Sequence, residues 1–144
     1  MKNVLIVCIG NICRSPMAEA MLAAALPDIA VSSAGTGALV GHPADEIAQT
    51  LMTEHGLDIG AHRGRLLNTA MCQQADLILT MDNEQRRFIE ERYPFARGKV
   101  FRIAEVAKVD VPDPFRQGRA AFDNAYRLID AGVINWAEKI RKFK

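Results

Sequence analysis

The sequence lacks the features that mark secreted, membrane-spanning and nucleic-acid-binding proteins. Its 144 residues include only three cysteines, which are too few and odd in number for a secreted disulfide framework. No apolar run approaches the roughly 20 residues that a membrane helix needs, and Asn11 and Arg14 interrupt the N-terminal run too early for a secretory signal. The 18 basic and 17 acidic side chains nearly cancel, which argues against nucleic-acid binding. We therefore expect a cytoplasmic protein with no membrane insertion.

Metal-binding and nucleotide-binding motifs are missing as well. Cys8 and Cys13 have no second ligand pair in the sequence, so a zinc site is not expected. The segment Gly35-Thr36-Gly37 lacks the third glycine of a dinucleotide-binding loop, and there is no phosphate-binding loop of the G-x4-G-K-[ST] kind. The histidines are scattered and are interpreted as structural: His42, His55 and His62. The sequence thus predicts neither a metal nor a cofactor.

The composition and the pattern of apolar residues predict one α/β domain over residues 1–144. Hydrophobic residues make up 49% and charged residues 24% of the chain, as is usual for a globular protein. Apolar runs predict strands at Asn3–Cys8, Ile29–Ser33, Asp76–Met81 and Lys99–Ile103. Helices are predicted from an N-cap at Ser15, over Pro43–His55, from an N-cap at Asp82, and along the apolar stripe from Phe122 to Ile140. This alternation predicts a small parallel sheet of about four strands, flanked by helices.

The loop after the first strand, Cys8-Ile9-Gly10-Asn11-Ile12-Cys13-Arg14-Ser15, carries the chemistry. The N–H groups of a tight turn at a helix N-terminus form an anion site. Arg14 can grip two phosphate oxygens, and Asn11 is a residue that tolerates a left-handed backbone. Cys8 would lie beneath the central atom of the anion, in a field that favours the thiolate. The loop therefore predicts both an oxyanion binder and a nucleophile.

Each residue has an ordinary alternative when it is taken alone. A cysteine in a buried strand is usually a small apolar residue, and an arginine near a helix start is usually a solvated charge. The strand before the loop and the helix start after it favour the functional interpretation.

The segment Val7–Ala20 resembles the signature of the low-molecular-weight protein tyrosine phosphatases. Ser33–Thr36, Asp76–Asp82 and Val111–Phe115 are similar, in order and spacing, to the second loop, central strand and general-acid loop of that family. The resemblance implies a Rossmann-like phosphatase fold and hydrolysis of phosphotyrosine through a phosphocysteine on Cys8. It also implies that phosphate and other oxyanions are bound by Ile9, Gly10, Asn11, Ile12, Cys13, Arg14 and Ser15, and that Asn11, Ser15 and Ser33 brace the loop.

Asp113 is the predicted general acid. The departing tyrosine oxygen needs a proton, and the resemblance implies that Asp113 supplies it and then activates water. A rigid Pro-Asp-Pro turn is the alternative interpretation of Pro112-Asp113-Pro114. Asp110 is the nearest competitor but lacks flanking prolines.

For the second cysteine and for the pocket walls, the sequence leaves two interpretations open. The resemblance implies that Cys13 can form a reversible, protective disulfide with Cys8; a buried packing residue is the alternative. Cys72 is interpreted as core. Leu39 and Phe115 are the predicted apolar walls that contact a phosphotyrosine ring, although Leu39 could also be an ordinary loop-packing residue.

The residues at the predicted walls are similar to those of the bacterial family members associated with exopolysaccharide export, the Wzb type. That resemblance implies that the partner is a phosphotyrosine protein, an autophosphorylating bacterial tyrosine kinase.

Two other functions share the loop. A thioredoxin-coupled arsenate reductase would need two further cysteines, and the chain has only Cys72 besides Cys8 and Cys13. A catalytically inactive phosphopeptide-binding module would lack the nucleophile or the acid.

Overall fold

Four short parallel strands form the sheet at the centre of the structure, a computed structural model that describes residues 1–143. The strands are β1 (Asn3–Cys8), β2 (Ala30–Gly35), β3 (Leu77–Thr80) and β4 (Val100–Arg102). Their order across the sheet is β2-β1-β3-β4, and every neighbouring pair is parallel. The predicted α/β fold with four parallel strands is confirmed, with strand ends within about two residues of those predicted.

Within residues 1–143, five helices pack on the two faces of the sheet. They are α1 (Arg14–Ala25), α2 (Glu46–Glu54), α3 (Thr69–Gln74), α4 (Asn83–Arg92) and α5 (Arg119–Lys142), with a short 3₁₀ helix at Pro94–Ala96. The side chains of β1 alternate between two core clusters. Val4 and Ile6 pack with α1, α2 and α5, whereas Leu5 and Val7 pack with α3 and α4. No helix within residues 1–143 is long and apolar enough to cross a membrane.

Two helix starts differ from the prediction, and one helix was missed. Helix α1 begins at Arg14 without a side-chain cap, because the Ser15 hydroxyl contacts Cys8 Sγ instead; the predicted N-cap at Ser15 is wrong. Helix α2 begins at Glu46 because the Asp45 carboxylate caps it, accepting from the Ile47 N–H at 2.9 Å. The unpredicted α3 has only six residues, too few for a clear apolar periodicity.

The predicted N-cap at Asp82 is confirmed. Its carboxylate accepts from the Gln85 N–H at 2.8 Å. Gln85 reaches back to accept from the Met81 N–H at 2.9 Å, so the reciprocal bond of a capping box forms one residue earlier than usual. This arrangement fixes the direction in which the chain leaves β3.

The strand order places the loops that carry the predicted site at one edge of the sheet. The chain passes from β1 to β2 on one side of it and then crosses to β3 on the other side. The crevice beyond the carboxyl ends of the strands at such a switch point is the usual ligand site of an open α/β sheet. The loop after β1 opens there, and the segment before Asp113 is tied there by a bond from the Val111 N–H to the Met81 carbonyl at 2.8 Å.

The C-terminal helix α5 is fixed against the end of β4 by close backbone contact. Trp136 Nε1 donates to the Ile103 carbonyl at 3.0 Å. Gly132, one turn earlier in the helix, lies so close to the same carbonyl oxygen that a Cβ atom at position 132 would collide with it. A side chain at Gly132 would therefore push the helix away from the sheet.

We expect Gly132→Ala to destabilise the protein by at least about 1 kcal/mol, because overpacking against backbone forces the helix to shift. In an unhindered helix the same change stabilises by about 1 kcal/mol, so the sign of the effect is diagnostic. Urea unfolding measures it. Asn135→Ala in the same helix is the control and should gain a few tenths of a kcal/mol, roughly the propensity difference. A Gly132→Ala protein at least as stable as the parent would contradict the tight contact.

Candidate active site

The Cys8 thiol lies at the base of the loop that joins β1 to α1. It is 2% exposed. The Asn11 N–H donates to Sγ at 3.3 Å, and the Ser15 Oγ atom lies 2.9 Å from Sγ. These two contacts hold the sulfur in place beneath the loop.

Asn11 holds the loop in shape from inside. It is fully buried, and its φ of 58° lies in the left-handed region, as its residue type allowed. Its Oδ1 accepts from the Arg65 N–H at 2.9 Å, which leaves Nδ2 to donate to Ser15 Oγ at 2.7 Å and to Ser33 Oγ at 3.0 Å. Because Ser15 Oγ accepts from Asn11, its own proton is free to point at Cys8 Sγ.

A second layer of residues, which the sequence pattern did not reveal, supports Asn11. His62 Nε2 lies 2.6 Å from the Asn11 carbonyl oxygen; since a carbonyl only accepts, Nε2 carries the proton. Glu19 Oε1 accepts from the Ser33 hydroxyl at 2.5 Å, and Arg65 Nε donates to the Ser33 carbonyl at 3.1 Å. His62 and Arg65 are distant from the loop in sequence, so no local signal could have identified them, whereas Glu19 lies within the Val7–Ala20 segment but was not singled out.

The other two histidines lie away from these contacts. The ring of His55 stacks on that of Tyr126, with centroids 4.2 Å apart, and His42 makes backbone contacts with Leu39 and Gly64. Within residues 1–143 no three His, Cys, Asp or Glu side chains are grouped so that they could hold a metal ion.

The Arg14 side chain is almost completely enclosed, at 1% exposure. Its Nη1 donates to the Val111 carbonyl at 2.8 Å and lies 3.7 Å from Asp82 Oδ2, while Nη2 lies 3.9 Å from Asp113 Oδ2. The Nε–H group is buried and has no hydrogen-bond partner among residues 1–143. An unsatisfied buried charged donor is costly, and an oxyanion in the adjoining cavity would relieve that cost.

Asp113 stands at the mouth of the same cavity. Its side chain is 47% exposed, and its Oδ1 accepts from the Phe115 N–H at 3.1 Å. Asp110, the competing acid, is instead bonded to Arg102 Nη1 at 3.1 Å and to the Asn83 N–H at 3.2 Å. Asp110 thus anchors the loop that carries Asp113 and does not line the cavity.

One cavity of about 210 Å³ brings the predicted site together. Its lining residues are Cys8, Ile9, Gly10, Ile12, Cys13, Arg14, Gly37, Leu39, Asp113 and Phe115. Asn11 and Ser15, which were predicted to bind substrate as well as to brace the loop, do not line it. Both are fully buried beneath it, because their side chains are committed to each other and to Cys8.

The other two thiols are free and buried. Burial above all, with a smaller contribution from Asp45, raises the pKa of the Cys13 thiol above its ordinary value. Cys13 is therefore a protonated, weakly nucleophilic thiol near neutral pH, and its predicted disulfide with Cys8 stays a prediction. Burial raises the pKa of Cys72 to about 11; Cys72 lies in the core cluster on the α3 and α4 face.

Comparison with known proteins gives full-length matches. The family model for low molecular weight phosphotyrosine protein phosphatase matches residues 3–144. A Ralstonia solanacearum protein named as a probable low molecular weight protein-tyrosine-phosphatase, EpsP, is 49% identical over 140 residues, which cover 97% of each chain.

Solved structures agree with that match. Vibrio vulnificus Wzb in complex with benzylphosphonate superposes with a TM-score of 0.93 and 40% identity, over 96% of this chain and 98% of that one. The YwlE arginine phosphatase from Geobacillus stearothermophilus superposes with a TM-score of 0.92 and 32% identity, over 99% and 94% of the two chains.

We expect Arg14→Lys to weaken the binding of inorganic phosphate at least about tenfold, because a lysine cannot form the two-pronged contact and loses a charged hydrogen bond. Isothermal titration calorimetry measures the change. Arg97→Lys, on an exposed segment before β4, makes the same replacement away from the cavity and should bind phosphate normally. Equal affinities in the two variants would place the anion elsewhere.

Proposed function

The chain belongs to the low molecular weight protein tyrosine phosphatase family, and we propose that it hydrolyses phosphotyrosine in proteins through a phosphocysteine on Cys8. The family resemblance predicted from the sequence is confirmed, and with it the enzyme class. The observation that carries the mechanism is that Cys8, Arg14 and Asp113 line one cavity. A nucleophile, an oxyanion binder and a proton donor are what the displacement of a phosphoryl group needs.

In the first step the Cys8 thiolate attacks phosphorus. The S–P bond forms as the bond from phosphorus to the tyrosine oxygen breaks, and the Asp113 carboxyl donates its proton to that oxygen. Arg14 and the N–H groups of the loop hold the non-bridging oxygens, on which charge is spread in the transition state. The Ser15 hydroxyl, directed at Sγ by Asn11, stabilises the thiolate before attack.

In the second step a water molecule replaces the sulfur. The Asp113 carboxylate, which has just lost its proton, takes one from water as the water oxygen attacks phosphorus. The S–P bond breaks, Cys8 leaves as the thiolate, and inorganic phosphate is released. The exposed position of Asp113 at the cavity mouth suits both roles, because leaving group and water must reach the same carboxyl.

The apolar walls favour an aromatic substrate. Leu39 and Phe115 line the cavity above the loop, where they would contact a phenyl ring, which a serine side chain lacks. The Vibrio relative binds benzylphosphonate, an aromatic phosphonate, which supports this choice over the phosphoarginine substrate class of the YwlE relative.

Hydrolysis is also favoured over the two alternatives considered from the sequence. Cys72, the third cysteine of the chain, is fully enclosed in the core on the far face of the sheet, where it could not pass a disulfide outward from Cys8. A binding module without activity would need neither Asp113 nor a nucleophilic thiol in the cavity.

We propose that the natural substrate is a cytoplasmic tyrosine autokinase of exopolysaccharide export. The support is the full-length similarity to EpsP and Wzb, the branch to which the walls of the pocket also point. Cys8 is buried at the base of the cavity, so a long side chain must enter to reach it. A flexible tail that contains tyrosine suits this requirement.

We expect Asp113→Asn to lower kcat/KM for phenyl phosphate by about a hundredfold and for 4-nitrophenyl phosphate by much less, because a good leaving group needs less protonation. A leaving-group series with substituted phenols gives the slope. Asp110→Asn is the matched control, and any loss it causes should be uniform across the series. Equal losses for all leaving groups in Asp113→Asn would assign Asp113 a structural role.

We expect Leu39→Ala and Phe115→Ala each to raise KM for a phosphotyrosine peptide roughly fivefold, since each removes about 1 kcal/mol of contact with the ring.

The parent protein should prefer phosphotyrosine to matched phosphoserine and phosphoarginine peptides by at least about tenfold in kcat/KM. Cys8→Ser should abolish turnover of every substrate and so ties the activity to this cavity. Comparable turnover of the three peptides would contradict a tyrosine-specific enzyme.

A further inference from the structure

The turn that follows Asp113 has an unusual residue at its third position. The Gln117 N–H closes the turn by donating to the Pro114 carbonyl at 2.9 Å. Arg116 occupies the third position with a φ of 61°, in the left-handed region where such turns ordinarily take glycine or asparagine. A residue other than glycine in this conformation costs on the order of 1 kcal/mol of backbone strain. Strained residues of this kind are often found at functional sites.

The Arg116 side chain is held in place without a polar partner. Its guanidinium carbon lies 5.1 Å from the centre of the Phe115 ring, a cation–π arrangement. This ring contact is the guanidinium's interaction within residues 1–143, where it forms neither an ion pair nor a hydrogen bond. Other arginines, by contrast, each donate a side-chain hydrogen bond to an oxygen of the protein: Arg14, Arg63, Arg65 and Arg102.

The position of Arg116 is the rim of the cavity. Phe115 lines the cavity and Arg116 does not, so the guanidinium lies outside the space that the phosphotyrosine itself would fill. It is exposed, and a ring of the wall fixes it next to the mouth. Besides Asp113, the exposed side chains that line the cavity, Ile9 and Leu39, are apolar. A peptide that crosses the mouth therefore meets a fixed, unpaired cation on the side of the general-acid loop.

We propose that Arg116 is a specificity-determining residue that binds an anionic group next to the phosphotyrosine in the substrate, either an acidic side chain or a second phosphate. The inference rests on the proposed hydrolysis of phosphotyrosine. A guanidinium stacked on a ring presents its N–H groups edge-on, which suits the paired oxygens of a carboxylate or a phosphate. The strained backbone is then retained because it places this cation at the mouth.

Matched phosphotyrosine peptides test the proposal. One series carries Glu or the isosteric Gln at each of the two positions on either side of the phosphotyrosine, and a second carries phosphoserine or serine there. The ratio of kcat/KM between the anionic and the neutral peptide of a pair is the readout. We expect about a three- to fivefold preference for Glu at one or more positions at low salt, shrinking as the salt concentration rises. A preference in only one series identifies the carboxylate or the phosphate as the ligand.

Arg116→Gln should reduce the preference to about one, whereas Arg97→Gln, the same charge change remote from the cavity, should keep it. Arg116→Gly removes the cation and relieves the strain of the turn, so it should lose the preference while its urea midpoint is no lower than that of the parent. If Arg116 only supports Phe115, Arg116→Gln slows both peptides equally and the ratio persists, which overturns the proposal.

Failure of the inference and failure of the proposed function give different results. A parent protein that hydrolyses the Glu and Gln peptides equally well overturns the role of Arg116 alone. A parent protein that hydrolyses no phosphotyrosine peptide overturns the proposed function, and the inference with it.

Discussion

The buried amide of Asn11 is the interaction on which the rest of the site depends. One side chain donates to Ser15 and Ser33 and accepts from the Arg65 N–H, so it joins the start of α1, the strand β2 and the segment before α3. Its left-handed backbone turns its own N–H toward the Cys8 sulfur. Aspartate could not donate to the two hydroxyls, and alanine would leave them unsatisfied in the core. The shape of this loop is therefore set from beneath by a group that does not line the cavity.

A second constraint couples Asp113, the proposed acid, to Arg14, the proposed oxyanion binder. Both backbone polar groups of Val111 are bonded at the cavity: its N–H donates to the Met81 carbonyl, and its carbonyl accepts from Arg14. Asp110, the preceding residue, is held by Arg102 and by the Asn83 N–H. The segment that leads to Asp113 is thus fixed to the sheet and to the phosphate loop together. Because Arg14 is one of its supports, a change in either loop is transmitted to the other.

The parts of the molecule that the sequence predicts are those encoded over short distances. The apolar run before Cys8, the loop to Ser15, the N-cap at Asp82 and the stripe along α5 are each local patterns, and the structure contains each strand and helix they predict. Other supports of the loop are encoded over long distances. His62 lies 51 residues from Asn11 in the chain, so no spacing rule connects the two.

Ser15 illustrates a subtler limit. Its residue type suits a helix N-cap, and propensity alone predicted that role. The structure places its hydroxyl between Asn11 Nδ2 and the Cys8 sulfur, so the hydroxyl is not available to cap the helix. Contacts within the folded loop replaced the local preference, and only the folded chain reveals them.

Specificity and phosphate binding are separated in the architecture. In the proposed reaction the loop holds only phosphate oxygens, which every phosphorylated residue shares, so it cannot select one amino acid over another. Selection has to come from the walls and rim, where Leu39 and Phe115 are supplied by the segments after β2 and β4. The end of β2 itself cannot vary, because a Cβ atom at Gly35 would collide with the Ile9 carbonyl of the phosphate loop. Leu39, four residues further on and 41% exposed, is free of that restriction. The fold therefore fixes the chemistry at the base of the cavity while leaving the rim free to determine which phosphorylated residue reaches it.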